Sequence, residues 1–262
     1  MKFALIGSAP SSIRLAPYGN PDWKIWACSP GAYGVAQRID SFFELHRYEP
    51  GQPWFSPEYC RFLEKFPGPV YMAEKRPEIP GSVPVPVEGL VERYGPYFFT
   101  STLSYMFALA IDEIEASWAR EDKEGKPRTH SAIGLWGVDM AASEEYGYQR
   151  AGCQYFAMLA RAKGIEVGVP PESDLLRPPP LYGVSEIDHA RIKIMARRRE
   201  LQGRVADAQA QIDNKSRELM FLQGAMDDLN WNENTWTGDV HGINRRYVEP
   251  PLVPALEGFK PE

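Results

Sequence analysis

Lys2-Phe-Ala-Leu-Ile-Gly-Ser-Ala-Pro-Ser-Ser12 is the stretch on which the fold turns. Lys2 to Ile6 is a short apolar run, the length of one buried strand, and Gly7 lets the chain turn where it ends. Ser8, Ser11 and Ser12 then supply hydroxyls suited to capping a helix. A strand that stops in a small-residue loop and enters a helix gathers free backbone N–H groups and the positive end of a helix dipole at one place. That is an anion site. In an open α/β sheet it lies at the carboxyl edge of the strands, where ligands bind. The same residues also describe a tight turn with a serine N-cap and no ligand.

Working outward, Lys24 to Cys28 reads as a second strand ending in Ser29-Pro-Gly31, and Ile39 to His46 as a third. Three apolar strands separated by helix-length segments argue for a parallel sheet with crossovers. The expected fold is therefore α/β and Rossmann-like, a mostly parallel sheet with helices on both faces. A short helix is expected at about Pro57 to Phe66. Val70–Met72 and Val83–Val87 read as extended, the second as an edge strand or loop because proline cannot donate to a ladder. Thr100 to Ile111 opens with capping hydroxyls and continues almost wholly apolar, which predicts a buried helix. Ser131 to Gly137 is a further strand. Asp139, just past it, either meets a ligand or caps the next helix. Glu144 to Ala162 is amphipathic, and Ile165 to Val169 closes the sheet.

Pro178-Pro-Pro180 marks a boundary, dividing residues 1–180 from a helical segment at 185–230 and an irregular tail at 231–262. Ile187, Ile194, Leu201 and Ala208 recur every seven residues, with Leu222 and Leu229 continuing the series. Val205, Ile212, Leu219 and Met226 form a second series offset by four. This is a heptad seam, interrupted by Arg191, Arg198 and Lys215 and weakened by Gly203 and Gly224. Such a helix needs a cover for its seam. Self-association through residues 187–229 is the leading expectation, and a helical hairpin folded back on the same chain is the alternative.

The net charge of −6 gives no reason to expect a nucleic-acid partner. Cys28, Cys60 and Cys153 are scattered and form no metal spacing, so reduced buried thiols and a cytoplasmic location are expected. No apolar run approaches the ~20 residues that span a membrane.

Three pieces together resemble a known family: Gly7-Ser-Ala-Pro-Ser-Ser12 after the first strand, Thr100-Ser-Thr102 opening an apolar helix, and Ile133-Gly-Leu-Trp-Gly-Val-Asp139. Their order and spacing resemble the bacterial sialyltransferases that modify lipooligosaccharide. They also resemble the related group that includes archaeal 6-hydroxymethylpterin diphosphokinases. The middle of the chain looks closest to uncharacterised proteins of tailed bacteriophages. The resemblance covers about residues 2–170 and leaves out the heptads.

The resemblance implies a nucleotide-sugar donor of the CMP type, used as substrate without a cofactor or metal. The diphosphokinase branch would instead imply magnesium and ATP. Gly7, Pro10 and Ser11 match the family's Gly-Asn-Gly-Pro-Ser, with Ser8 and Ala9 at the remaining places. Ser29 stands where the family has a second donor-binding asparagine. Thr100, Ser101 and Thr102 stand for Thr-Ser-Gly, the last substitution narrowing the space for a sugar. Asp139 completes the implied nucleotide site.

Tyr146 and Tyr148 fall where the family has tyrosines that assist the departing phosphate; two aromatics packing a helix on the sheet is the alternative. The family's lid histidine has no counterpart, since no histidine lies between His130 and His189. His46, at the end of the third strand, is the best-placed base, or else a structural residue. The rival to a glycosyltransferase is a phage assembly or interaction protein that keeps the fold without the activity.

Overall fold

The computed structural model describes the backbone of residues 1–140, 144–176 and 188–237, and the side chains of all of these except 144–146, 188–190 and 236–237. The apolar runs form seven strands. These are β1 (Lys2–Ile6), β2 (Trp23–Cys28), β3 (Ser41–Glu44), β4 (Val70–Met72), β5 (Ser82–Pro84), β6 (Ala132–Trp136) and β7 (Glu166–Gly168). They make one sheet in the order β5-β4-β3-β2-β1-β6-β7, and every pairing is parallel. The chain starts at β1, steps outward to β5, and returns to the other flank of β1 as β6 and β7. The order therefore reverses between β1 and β6, where Lys2 pairs with both Trp23 and Ala132.

Residue parity divides the core in two. Phe3, Leu5, Ile133 and Leu135 face one way, into a cluster with Leu90, Phe107, Ile111 and Phe156. Those residues come from α3 (Val87–Tyr94), α4 (Thr102–Lys123) and α5 (Glu144–Ala162). Ala4, Ile6, Ile25 and Phe42 face the other way, toward α1 (Pro30–Tyr33) and α2 (Pro57–Lys65). A central strand covered on both faces must be apolar at every position, which is why β1 reads as a continuous run rather than an alternation. The fold is α/β and Rossmann-like, with helices on both faces of the sheet.

Several local expectations are corrected. No full helix follows the first loop. Ile13–Leu15 is a single 3-10 turn, because Pro17, Gly19 and Pro21 stop propagation. α1 is likewise only four residues long. α3 was not anticipated inside the proline-rich stretch; Pro86 precedes it and Gly95, with φ +76°, ends it. The extended piece after Ser82 is an edge strand, where proline is tolerated.

The chain divides into two units, Met1–Gly203 and Arg204–Glu262. Pro178–Pro180, Ile187 and the tail from residue 238 lie outside the described residues. α6 runs unbroken from Asp188 to Asn232, 45 residues, so the hairpin alternative is not formed within this segment. The described part of the second unit is the C-terminal stretch of this helix and the short π turn Glu233–Thr237. Among the described residues, no helix is long and apolar enough to cross a membrane.

Candidate functional site

At the reversal point the loops after β1 and β6 are bonded to each other. Gly7 N–H donates to the Trp136 carbonyl at 2.9 Å, and Ala9 N–H donates to the Gly137 carbonyl at 2.7 Å. Gly137 N–H donates to Ser12 Oγ at 2.9 Å. Ser11 Oγ donates to Asp139 Oδ1 at 2.7 Å. A Cβ on Gly7 would lie 2.5 Å from the Gly137 carbonyl oxygen, and Gly137 itself has φ +68°. Gly7 is therefore required for the close approach of two loops.

The N–H groups of Gly7 and Ala9 and the hydroxyls of Ser11 and Ser12 are engaged within the protein, and no long helix follows. Only Ser8 and Pro10 of this loop are exposed. The helix-dipole anion site expected here is not formed.

Asp139 has both oxygens occupied. Its Oδ2 lies 3.3 Å from a terminal nitrogen of Arg197, on α6. Arg197 also pairs with Glu200, and its Nε lies 3.0 Å from Asp174 Oδ2. That last contact is one of charge, since the Nε–H is not aligned for a hydrogen bond. All four side chains are between 12% and 15% exposed. Arg150 closes the corner by donating to the Met140 carbonyl at 3.0 Å. Asp139 thus ties the two loops to α6. Among the described residues, no group of three His, Cys, Asp or Glu side chains could hold a metal ion.

Ser29, at the end of β2, has φ +74° and ψ 152°, a region essentially confined to glycine. It sits at the N-cap of α1 but makes no capping bond, and its Oγ is buried without a hydrogen-bond partner. The loop is pressed against Ser8: a Cβ on Gly31 would lie 2.7 Å from Ser8 Cβ. A strained residue with an unsatisfied hydroxyl at the carboxyl edge costs stability twice over.

The end of β3 carries a feature the sequence reading missed. Glu44 is 1% exposed and accepts three hydrogen bonds. Tyr59 Oη donates to Oε2 at 2.5 Å, while His46 N–H (3.0 Å) and His46 Nδ1 (2.6 Å) meet Oε1. The Tyr59 hydroxyl is pushed far above its ordinary pKa by burial, with the charge of Glu44 and its hydrogen bond adding to the effect. The His46 side chain is 62% exposed. It lines a cleft of about 150 Å³ at the ends of β3 and β4, together with Arg47, Tyr48, Glu74 and Arg76. Beneath this edge the Cys28 thiol is pushed up to about 12, first by burial and then by Glu44 and Cys153. It is an inert core thiol.

At the start of α4, Ser101 Oγ accepts the Ser104 N–H at 3.3 Å, as a capping residue should. Thr102 is the first residue of the helix. Thr100 Oγ1 donates to the Tyr148 carbonyl at 2.9 Å. Gly152 of α5 presses into the same corner, where a Cβ would meet Phe98 O, Ser104 Oγ and Thr100 Oγ1 at 2.4 to 2.6 Å. The Tyr148 ring is 75% exposed, and the Tyr146 side chain lies outside the described residues.

The expected residues therefore fall into three groups on one sheet edge: Gly7–Ser12 with Asp139, Ser29 beside Ser8, and Thr100–Thr102 beside Tyr148. His46 belongs to a fourth group with Glu44. A larger hollow, about 530 Å³, lies elsewhere. It opens on the sheet face over β6 and β7 and is lined by Trp23, Trp136, Val169, Pro170 and Glu172 among others. It is mostly apolar and contains none of these groups.

Comparison with known proteins found no matching family model, no matching curated protein and no matching solved structure.

Proposed function

We propose that the chain binds a nucleotide or nucleotide-sugar at the carboxyl edge of its sheet and transfers the sugar, with His46 as general base. The observation that carries this reading is the buried Glu44 carboxylate held 2.6 Å from Nδ1 of an exposed histidine. Donation of Nδ1–H to Glu44 selects the tautomer in which Nε2 accepts a proton. In the transfer, the acceptor hydroxyl oxygen bonds to the anomeric carbon. The bond from that carbon to the donor phosphate oxygen breaks, the phosphate keeps the electron pair, and the hydroxyl proton passes to Nε2. Arg47 and Arg76 line the same cleft, each paired with a carboxylate, Glu49 at 3.0 Å and Glu74 at 2.5 Å, which a phosphate would displace or share. The cleft is smaller than the ~300 Å³ of a pocket that encloses a whole ligand, so it takes one end of a donor.

A thermal-shift series with CMP, CDP, UDP, GDP, ADP, ATP and CMP-sialic acid, with and without magnesium, tests binding. The expected result is a rise in Tm with a cytidine nucleotide, independent of magnesium. A rise with ATP that requires magnesium would support the diphosphokinase branch instead. Release of CMP from the sugar donor then tests transfer. His46→Asn is expected to slow that release by about 10²-fold or more while leaving the thermal shift in place.

The second reading is a phage assembly or interaction protein on an emptied nucleotide fold. It is favoured by the internal use of the Ser11 and Ser12 hydroxyls and the Gly7 N–H. No shift with any nucleotide would replace the first reading with this one.

A further inference from the structure

The seam of α6 is uncovered along its whole described length. Leu201, Val205, Ile212, Leu219, Leu222 and Leu229 are each between 41% and 69% exposed. Lys193 and Arg197, which bond Leu175, Asp139 and Asp174, lie off this seam. An apolar row of this length, ~40 Å of helix, needs a complementary apolar row. The heptad spacing fits another α-helix with the same repeat. Two patterns on the helix then specify which helix, and in which direction.

The first pattern is seam polarity. In a parallel, in-register pair each seam residue faces its own copy, so Arg191, Arg198 and Lys215 would each meet an identical positive charge. In an antiparallel pair with Val205 opposite Leu222 of the second copy, Leu201 meets Met226, Ala208 meets Leu219 and Lys215 meets Ile212. Small then faces large, and the lysine can run its stem along the seam and carry its ammonium outward.

The second pattern is charge along the helix. Residues 191–204 carry Arg191, Arg198, Arg199 and Arg204, besides Lys193 and Arg197, which are engaged with Leu175, Asp139 and Asp174 and are left out of this count. Residues 218–233 carry Glu218, Asp227, Asp228 and Glu233 and no lysine or arginine. Reversing one copy lays the basic end of each helix beside the acidic end of the other. A parallel pair stacks like on like.

We infer that α6 pairs antiparallel with α6 of a second copy of this chain, in the register that places Val205 against Leu222. The inference is independent of the enzymatic proposal, since it uses no residue of the carboxyl edge.

Cysteine cross-linking of the full-length chain tests it. Val205→Cys and Leu222→Cys are made singly and together; both sites are exposed, and the native thiols Cys28, Cys60 and Cys153 are buried. In the antiparallel register the two introduced sulfurs meet, whereas Val205 lies ~25 Å along the axis from Val205 of the second copy. The expected result is an oxidised, covalent dimer from the double variant and monomer from either single variant on non-reducing gels. Light scattering of the wild-type chain is expected to give twice the monomer mass. Raising salt from 0.1 to 1 M is expected to weaken the dimer about tenfold, because it screens opposite charges. Efficient cross-linking of either single variant, a dimer that strengthens with salt, or a wild-type monomer at all concentrations would each overturn the inference.

Discussion

Ser29 is the residue whose cost to the fold is plainest. Its backbone stands where glycine belongs, and its hydroxyl is buried without a partner. Removing both penalties should raise stability, offset in part by the greater freedom of glycine in the unfolded chain. Ser29→Gly is therefore expected to stabilise by about 1 kcal/mol, roughly 2–4 °C in Tm. Calorimetry checks this; lower stability in the variant would mean that neither the backbone angle nor the buried hydroxyl costs the fold anything.

Gly7 gives the opposite expectation. Its missing Cβ is what lets the loops after β1 and β6 touch, with the Gly137 carbonyl oxygen 2.5 Å from where it would stand. Gly7→Val should lower Tm markedly before any ligand is added. The residue pattern of this loop was legible, but its purpose was not. A glycine and two serines after a strand look the same whether they meet a phosphate or the neighbouring loop, and the neighbour is 125 to 128 residues away in the chain. Glu44 was missed for a related reason. An acid ending an apolar strand looks like a surface residue until Tyr59, on a later helix, is seen to close over it.

Elements were legible in proportion to how far their own periodicity, rather than distant contacts, defines them. α5 occupies the span its amphipathic pattern predicts, and β4 and β6 fall within their apolar runs. α3 was hidden because eight residues among prolines carry too little pattern, and its one buried side chain, Leu90, is supplied with a partner only by the tertiary fold. α5 also offers an internal comparison. Gly147 and Gly152 are both helical, and alanine is favoured over glycine by ~1 kcal/mol in a helix interior. At Gly147 nothing lies within 4 Å of an added Cβ, while at Gly152 three atoms lie within 2.6 Å. Gly147→Ala is expected to raise Tm by roughly 2–4 °C, and Gly152→Ala to lower it by forcing α5 away from the start of α4. Equal effects at the two sites would mean that α5 does not press on that corner.

For the whole molecule, the parallel sheet and its layering followed from the sequence, whereas strand order did not, and the fifth strand stayed open between an edge strand and a loop. Nothing local tells β6 to return to the far side of β1. One consequence of the two-layered core is measurable without a ligand. Cys28 and Cys153 sit in the same cluster, each with its thiol pushed up from 9.0 to about 12, chiefly by burial. In the unfolded chain they ionise from about pH 9, while in the folded chain they keep their protons to about pH 12. Between those values the unfolded state binds fewer protons, so stability falls as pH rises. Their contribution is complete below pH 9 and is lost progressively toward pH 12, at up to about 1.4 kcal/mol per pH unit for each group once the unfolded thiol is ionised. Buried tyrosines such as Tyr59 steepen the fall further above pH 10. Cys153→Ser isolates one group. The hydroxyls of Ser101 and Ser104 lie beside the thiol, so a hydroxyl there finds partners, and it does not titrate in this range. Denaturant unfolding from pH 8 to 11 should show the variant losing stability less steeply than the wild type above pH 9, whatever its offset at pH 8. Parallel curves would mean that Cys153 is open to solvent and that α5 does not seal this face of the sheet.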